Sequence, residues 1–290
     1  MSDATLANLP TAHRPAWSAL TERLRELGPC VVAYSGGVDS AFVTLAALRT
    51  LGPAHVLAVT GRSASVPQAE LDGAASLADE IGVQHEFVET REFERPEYLA
   101  NPANRCYFCK DELYARLRRR AAEAGWSAVI NGVIADDLGD HRPGLDAARQ
   151  HGVAAPLAEC GIGKSALREM AAALGLRVHD KPASPCLSSR VPYGDPITPE
   201  KLRQIEQAEA LLRREGLREF RVRHHGELAR IEVQTADFAR FGDAQWRAAI
   251  DARLREIGFR YVSVDLRAFR SGSLNDALLG ESLRQALGTP

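Results

Sequence analysis

Five cysteines occur in the 290-residue chain, and three of them stand where they can do chemistry. Cys106 and Cys109 form a C-x-x-C pair inside NRCYFCKDELY (residues 104–114), and Cys186 lies in DKPASPCLSSRVPYG (180–194). A pair at that spacing can be a redox disulfide, half of a zinc site, or two ligands of an iron–sulfur cluster. A second string, SGGVDS (35–40), points to phosphate chemistry. Gly36 and Gly37 let the backbone approach an anion, while Ser35, Ser40 and the amides opening the next helix supply donors. Asp39 is placed to hold a magnesium ion that bridges phosphates. No lysine follows at the spacing G-x-x-x-x-G-K, which excludes a Walker loop.

These residues need elements to carry them. Residues 14–27 have helical apolar spacing, and the short apolar run from Cys30 to Tyr34 reads as a buried strand leading into SGGVDS. Ala41, Leu45 and Leu48 then mark a helix packed on a sheet. A strand (55–61), a helix (67–82) and a strand (84–90) follow. Residues 91–109 read as irregular, 110–125 as helix, 127–133 as strand, 135–156 as a long polar loop with one helical turn, and 164–175 as helix. Strands alternating with helices predict a parallel α/β sheet. From Thr198 the order changes to α-β-β-α-β, a small α+β domain. The predicted domains are 1–195 and 196–290.

Composition narrows the function. Hydrophobic residues make up 45% and charged residues 26%, with 36 basic and 38 acidic side chains for a net charge of −2. That balance gives no electrostatic push toward nucleic acid or membrane. No basic segment followed by an apolar one opens the chain, and no apolar stretch is long enough to span a bilayer. The few, unevenly spaced cysteines argue against a secreted disulfide framework, so a cytoplasmic location is expected.

The full string S-G-G-x-D-S, after a strand and before a helix, resembles the PP-loop of ATP pyrophosphatases, which cleave ATP between the α and β phosphates. The resemblance implies an adenine nucleotide alpha hydrolase-like fold, with ATP and Mg2+ as cofactors. It places adenine near the end of the second strand, around Ala58, Val59, Thr60 and Ser63, in keeping with ligands at the carboxyl ends of parallel strands. No N-terminal nucleophilic cysteine or glutaminase segment supplies ammonia, so the cysteines favour sulfur as the nucleophile. Taken together, NRCYFCKDELY, NGVIADDLGDHRPGL and DKPASPCLSSRVPYG resemble the LarE family of ATP-dependent sulfur transferases, over nearly the whole chain. Membership implies adenylation of the carboxylates of pyridinium-3,5-biscarboxylic acid mononucleotide and their conversion to thiocarboxylates, in nickel-pincer cofactor biosynthesis. It also implies a homo-oligomer built from trimers.

For the cysteines the resemblance leaves a choice. In some members a cysteine at the position of Cys186 gives up its own sulfur; in others three cysteines matching Cys106, Cys109 and Cys186 hold a 4Fe–4S cluster whose open iron carries sulfide. A zinc site completed by His179 or Cys160, and a persulfide or disulfide at Cys106 and Cys109, are the other arrangements. Cys30 reads as a small core residue. Asn131, Gly132 and Asp136 lie just beyond the fourth strand, with Asp137, Asp140 and Arg142 following; Asp136 and Asp137 suit magnesium or loop organisation. Ser188, Ser189 and Arg190 follow Cys186, and Arg190 and Lys181 suit a phosphate or carboxylate. Arg221 and Arg223 share one strand face and, with Glu209, resemble family residues near a phosphate and metal site at a subunit junction. His224 and His225 read as surface residues. Two other functions compete: a tRNA thiolase, disfavoured by the neutral charge, and a non-catalytic redox sensor.

Overall fold

A computed structural model describes residues 8–139, 143–182, 184–270 and 272–275. Asp140 and Arg142 lie outside the described residues. The chain divides into two compact units. The first takes the chain up to Arg95 and then Asn104–Ser184; the second takes Pro96–Ala103 and the chain from Pro185 onward.

The first unit is built on four parallel strands, β1 (Cys30–Ala33), β2 (Val56–Arg62), β3 (Gln84–Glu89) and β4 (Ala128–Ile130), in the order β3-β2-β1-β4. Successive strand residues point to opposite faces, so β1, β2 and β4 each feed two cores. Cys30, Val32, Val56 and Ala58 pack with helices α1 (Arg14–Leu27), α2 (Val38–Leu51) and α3 (Gln68–Ile81), among them Trp17, Leu24, Phe42 and Leu77. Val31, Leu57, Val59 and Val129 pack on the other face with Tyr114, Leu117 and Ala121 of α4 (Arg105–Glu123) and with Ala147 and Ala148 of α5 (Pro143–Gln150). The strand order reverses at β1, so the crevice beyond the β1 and β4 carboxyl ends is where a ligand belongs.

Two expectations change here. The helix carrying the C-x-x-C pair begins at Arg105 rather than Lys110, so both cysteines lie within it near its start, Cys106 in the first turn and Cys109 opening the second. Arg105 is buried, which anchors that turn and extends the helix through residues that read as irregular by composition. The stretch 135–156 is more regular than a loop: a 3-10 turn spans Ala135–Gly139 and α5 follows. Small apolar Ala147 and Ala148 let α5 sit against α4.

In the second unit, β5 (Phe220–His225) pairs antiparallel with β6 (Leu228–Val233), which pairs in parallel with β7 (Tyr261–Val264). Gly226, at φ 62°, supplies the positive φ that the two-residue turn between β5 and β6 requires. Helix α6 spans Lys164–Ala173 in the first unit; α7 (Pro199–Arg214) and α8 (Ala244–Ile257) belong to the second. Thr198 caps α7 through the Lys201 amide, and Asp243 caps α8 through the amides of Gln245 and Trp246. Phe220, Val222, Ala229, Ile231 and Val233 pack against Leu211, Leu212, Ile250 and Leu254 of these helices. The opposite sheet face keeps Arg221, Arg223, His225, Arg230 and Glu232.

The division between units falls at Ser184 and Pro185, earlier than 195, and draws in residues 96–103. The cause is Asn101, fully buried with φ 53°. Its side-chain amide donates to the carbonyls of Pro192 (2.6 Å) and Asp195 (3.0 Å), and its own carbonyl accepts from Gly194 N. Cys186 and Arg190 therefore belong to the second unit.

Candidate active site

The nucleotide loop leaves β1 and turns into α2. Gly36 sits at φ 68°, and a Cβ there would come within 2.8 Å of Ala74 Cα; a Cβ on Gly132, just past β4, would come within 2.6 Å of the Ser40 amide. Both positions need glycine because backbone packs directly on backbone. Ser40 Oγ donates to the Gly37 carbonyl (3.0 Å) and accepts from the Ser35 amide (3.1 Å). Gly37, the cap residue of α2, has no side chain to cap with. The first-turn amides of α2 are left facing off the helix end, an anion site in form.

Asp39 is in that first turn. Both of its oxygens accept from Lys164 Nζ, at 2.7 and 2.8 Å. Lys164 is the first residue of α6, and its amide donates to Asp136 Oδ2 at 2.6 Å. Asp136 therefore braces the start of α6. Asp39, a half-exposed hard oxygen donor beside an anion-binding loop, fits a magnesium ion that completes its shell with water and phosphate oxygens. Lys164 stands 125 residues from Asp39 in the chain, so no local spacing links the two. One signal was available: a cation at a helix N-terminus opposes the macrodipole and calls for an anion partner.

At the end of β2, Thr60 Oγ1 donates to the Tyr34 carbonyl (2.8 Å) and lies 2.8 Å from His85 Nε2. Burial holds the His85 pKa down. Ala58 is fully buried in the sheet core. Ser63 donates to Glu92 Oε1 (2.5 Å), as does Ser65 (3.3 Å). Glu92 is 1% exposed, and its Oε2 has no partner among the described residues. No spacing rule points to Glu92. Asn131 is buried and accepts from the Val133 amide (3.1 Å), which shapes the chain leaving β4. Asp137 accepts from the Ile134 amide (3.2 Å), and Lys181 pairs with Glu70 (2.7 Å).

Cys106 is exposed and Cys109 half-buried, three residues apart and so on one face of α4. Cys30 is fully buried in the sheet core, where burial pushes its thiol up to about 12, and burial also raises Cys160. His179 Nδ1 lies 3.0 Å from its neighbouring Leu176 carbonyl. The pair on α4 offers two thiolates, the right donor type for iron–sulfur. Among the described residues, however, no group of three or more His, Cys, Asp or Glu is gathered to hold a metal.

In the second unit Cys186 precedes a 3-10 turn, Leu187–Arg190. Its carbonyl accepts from Ser189 Oγ (2.8 Å) and Arg190 Nη1 (2.9 Å). Arg190, 2% exposed, makes a fork-to-fork pair with Glu209 (2.9 Å twice) and also donates to Pro185 O (2.6 Å). Arg223 pairs with Glu232 (3.0 and 2.7 Å) and donates to Ser189 O (2.8 Å). Two buried arginines thus grip the turn that presents Cys186. Ser188 is fully buried against Tyr98 Oη (2.7 Å). Arg221 stacks on Phe269, and burial, aided by Arg190, lowers its pKa to about 10.

Arg190 and Arg223 also line a cavity of about 420 Å³, with Arg230, Arg267 and Arg270 and with Glu232 and Asp265. Five guanidinium groups against two carboxylates give the lining a positive balance, with Arg190 paired to Glu209, Arg223 to Glu232 and Arg230 to Glu232 and Asp265. His225 faces this cavity, its pKa lowered by burial and then by Arg230. His224 is not a surface residue: it points to the core face, 3% exposed, stacked on Phe259 and 2.9 Å from Gln204 Oε1. Burial lowers its pKa to about 4.

A parallel α/β sheet with this glycine-serine loop at its switch point defines a PP-loop nucleotide-binding domain, here joined to a small mixed-sheet unit. The family model described as NAD synthase matches residues 18–134. A protein of Lactiplantibacillus plantarum, pyridinium-3,5-bisthiocarboxylic acid mononucleotide synthase, is 38% identical over 90% of this chain and 94% of its own length. An uncharacterized Synechocystis protein is 45% identical over 87% of this chain and 94% of its own. An uncharacterized Methanocaldococcus jannaschii protein is 26% identical over 83% and 90%. The chain belongs to the LarE family, that of the pyridinium-3,5-bisthiocarboxylic acid mononucleotide synthase, and to the ATP-utilising PP-loop enzymes. Among the described residues no helix is long and apolar enough to cross a membrane.

Proposed function

We propose that this protein is an ATP-dependent sulfur transferase acting on pyridinium-3,5-biscarboxylic acid mononucleotide, the precursor that matches the product in its relative's name. A substrate carboxylate oxygen attacks the α phosphorus of ATP, and pyrophosphate leaves to the amides and hydroxyls of residues 35–40. The acyl adenylate is a good electrophile because AMP is a good leaving group. Sulfide adding to the acyl carbon displaces AMP and gives the thiocarboxylate directly. If the Cys186 thiolate adds instead, AMP departs to leave a thioester, and loss of the Cys186 Cα proton with cleavage of its Cβ–S bond releases the thiocarboxylate and leaves dehydroalanine. Magnesium at Asp39 would neutralise the phosphates.

The observation that carries the reading is the Cys186 turn, clamped by Arg190 and Arg223, which also line the arginine-rich cavity. The cavity suits the phosphate of a mononucleotide, and the clamp makes Arg190 and Arg223 positioning residues for Cys186. Sulfur delivery takes one of two forms. Cys106, Cys109 and Cys186 serve as ligands of a 4Fe–4S cluster, or Cys186 gives up its own sulfur and becomes dehydroalanine.

The test is an anaerobic assay with ATP, magnesium, sulfide and the pyridinium dicarboxylate, followed by mass spectrometry. ATP-dependent thiocarboxylate together with pyrophosphate supports the proposal; pyrophosphate release that ignores the pyridinium compound sinks it. Iron and acid-labile sulfide in the anaerobically purified protein, set against the mass of Cys186 after turnover, decide the sulfur source.

A further inference from the structure

We propose that Lys164 is a positioning residue that holds Asp39 while the nucleotide loop is empty and passes to a phosphate when magnesium–ATP enters. The inference rests on the reading of residues 35–40 as a magnesium–ATP loop. Lys164 starts α6, where a positive charge is disfavoured by the helix dipole. Its place is nevertheless built. Asp136 Oδ2 takes its amide at 2.6 Å, and a Cβ on the preceding Gly163 would lie 2.9 Å from that same oxygen. The ammonium reaches across to both oxygens of Asp39, at 2.7 and 2.8 Å.

Asp39 stands in the first turn of the helix whose amides receive the phosphates. With Lys164 on both of its oxygens the carboxylate is neutralised, and the ammonium so held is not yet free to meet the incoming anion. The side chains are 39% and 31% exposed, so water screens the pair and little is lost when it breaks. A polyphosphate offers the ammonium more negative charge than one carboxylate, and magnesium offers the carboxylate more positive charge than one ammonium. Each partner gains by the exchange, and the cation count around the phosphates rises only when the ligand arrives. Asp136, on this account, braces the lysine and binds no magnesium.

Calorimetric titration of the full chain with inorganic pyrophosphate, with and without magnesium, tests the exchange. Lys164→Met should weaken pyrophosphate binding about tenfold, and Lys164→Arg should recover most of it. Asp39→Asn should tighten magnesium-free binding roughly threefold to tenfold when Lys164 is present, by releasing the ammonium, but less than about twofold beside Lys164→Met. Equal tightening in both backgrounds would mean that Asp39 only repels the anion, and the exchange would be wrong. Unchanged affinity in Lys164→Met would also overturn it, and thermal unfolding of each variant, with Lys164→Gln as a second, shows that the fold is kept. Failure of the unaltered protein to bind pyrophosphate at all would instead overturn the nucleotide reading.

Discussion

Replacing Glu209 with Gln should unfold the second unit early and loosen Cys186. Arg190 and Glu209 are 2% and 4% exposed, and the carboxylate takes two N–H groups of the guanidinium as well as the Val222 amide at 3.2 Å. Removing one charge of a buried pair costs about 3–5 kcal/mol, because the other charge stays buried. Arg190 keeps acceptors at Pro185, Cys186 and Ser189, and Gln retains one oxygen, so the lower end applies, about 3 kcal/mol. Of the chain's three tryptophans, Trp246 alone is in the second unit, so changing Trp17 and Trp126 to Phe leaves fluorescence that reports this unit. Its urea midpoint should drop by roughly 1–3 M. Cys186 should also react faster with iodoacetamide, since its carbonyl is tethered through Arg190. The double variant Arg190→Met with Glu209→Leu should lose less stability than Glu209→Gln. A midpoint unchanged within about 0.3 M, or a double variant worse than the single, would refute the clamp.

Further outcomes follow from the same structure. Asp39→Ala should abolish ATP-dependent pyrophosphate release without changing the unfolding free energy by more than about 1 kcal/mol, read by coupled phosphate assay and urea titration. Cys186→Ala should still release pyrophosphate but form no thiocarboxylate by mass spectrometry; normal product would remove Cys186 from sulfur transfer. Gly132→Ala drives a methyl against the Ser40 amide and should cost about 1–3 kcal/mol together with nucleotide affinity. His224 stays neutral in the fold, with a pKa of about 4 against 6.5 for the unperturbed group. The unfolded chain therefore takes up the proton first, so stability falls as pH drops from about 6.5 towards 4 and no further below it. His224→Gln should flatten that part of the stability–pH curve.

Much of the candidate site could be read from short strings. SGGVDS works through backbone approach, hydroxyls and a helix start, all within six consecutive residues, so composition and order define it. Strands alternating with helices likewise predicted a parallel sheet, because parallel neighbours are joined through crossover helices. Side-chain partners were a different matter. Lys164 meets Asp39 across 125 residues, Glu92 meets Ser63 across 29, and Arg223 meets Ser189 across 34. Such pairs depend on which helix or strand ends arrive together, and no local spacing encodes that.

The same distinction explains His224, whose neighbour His225 faces the charged side of the sheet. One residue of strand register separates burial beneath α7 from the arginine cavity. It also explains the unit boundary, set by Asn101 reaching the carbonyls after Cys186 rather than by any change of composition. What the chain's order of residues establishes is the chemistry of its loop and the layers of its sheet, since both arise from contacts between near neighbours. What folding adds is the charge pairing around Asp39 and Cys186, since an ion pair exists only where packing brings two distant chain segments within about 3 Å.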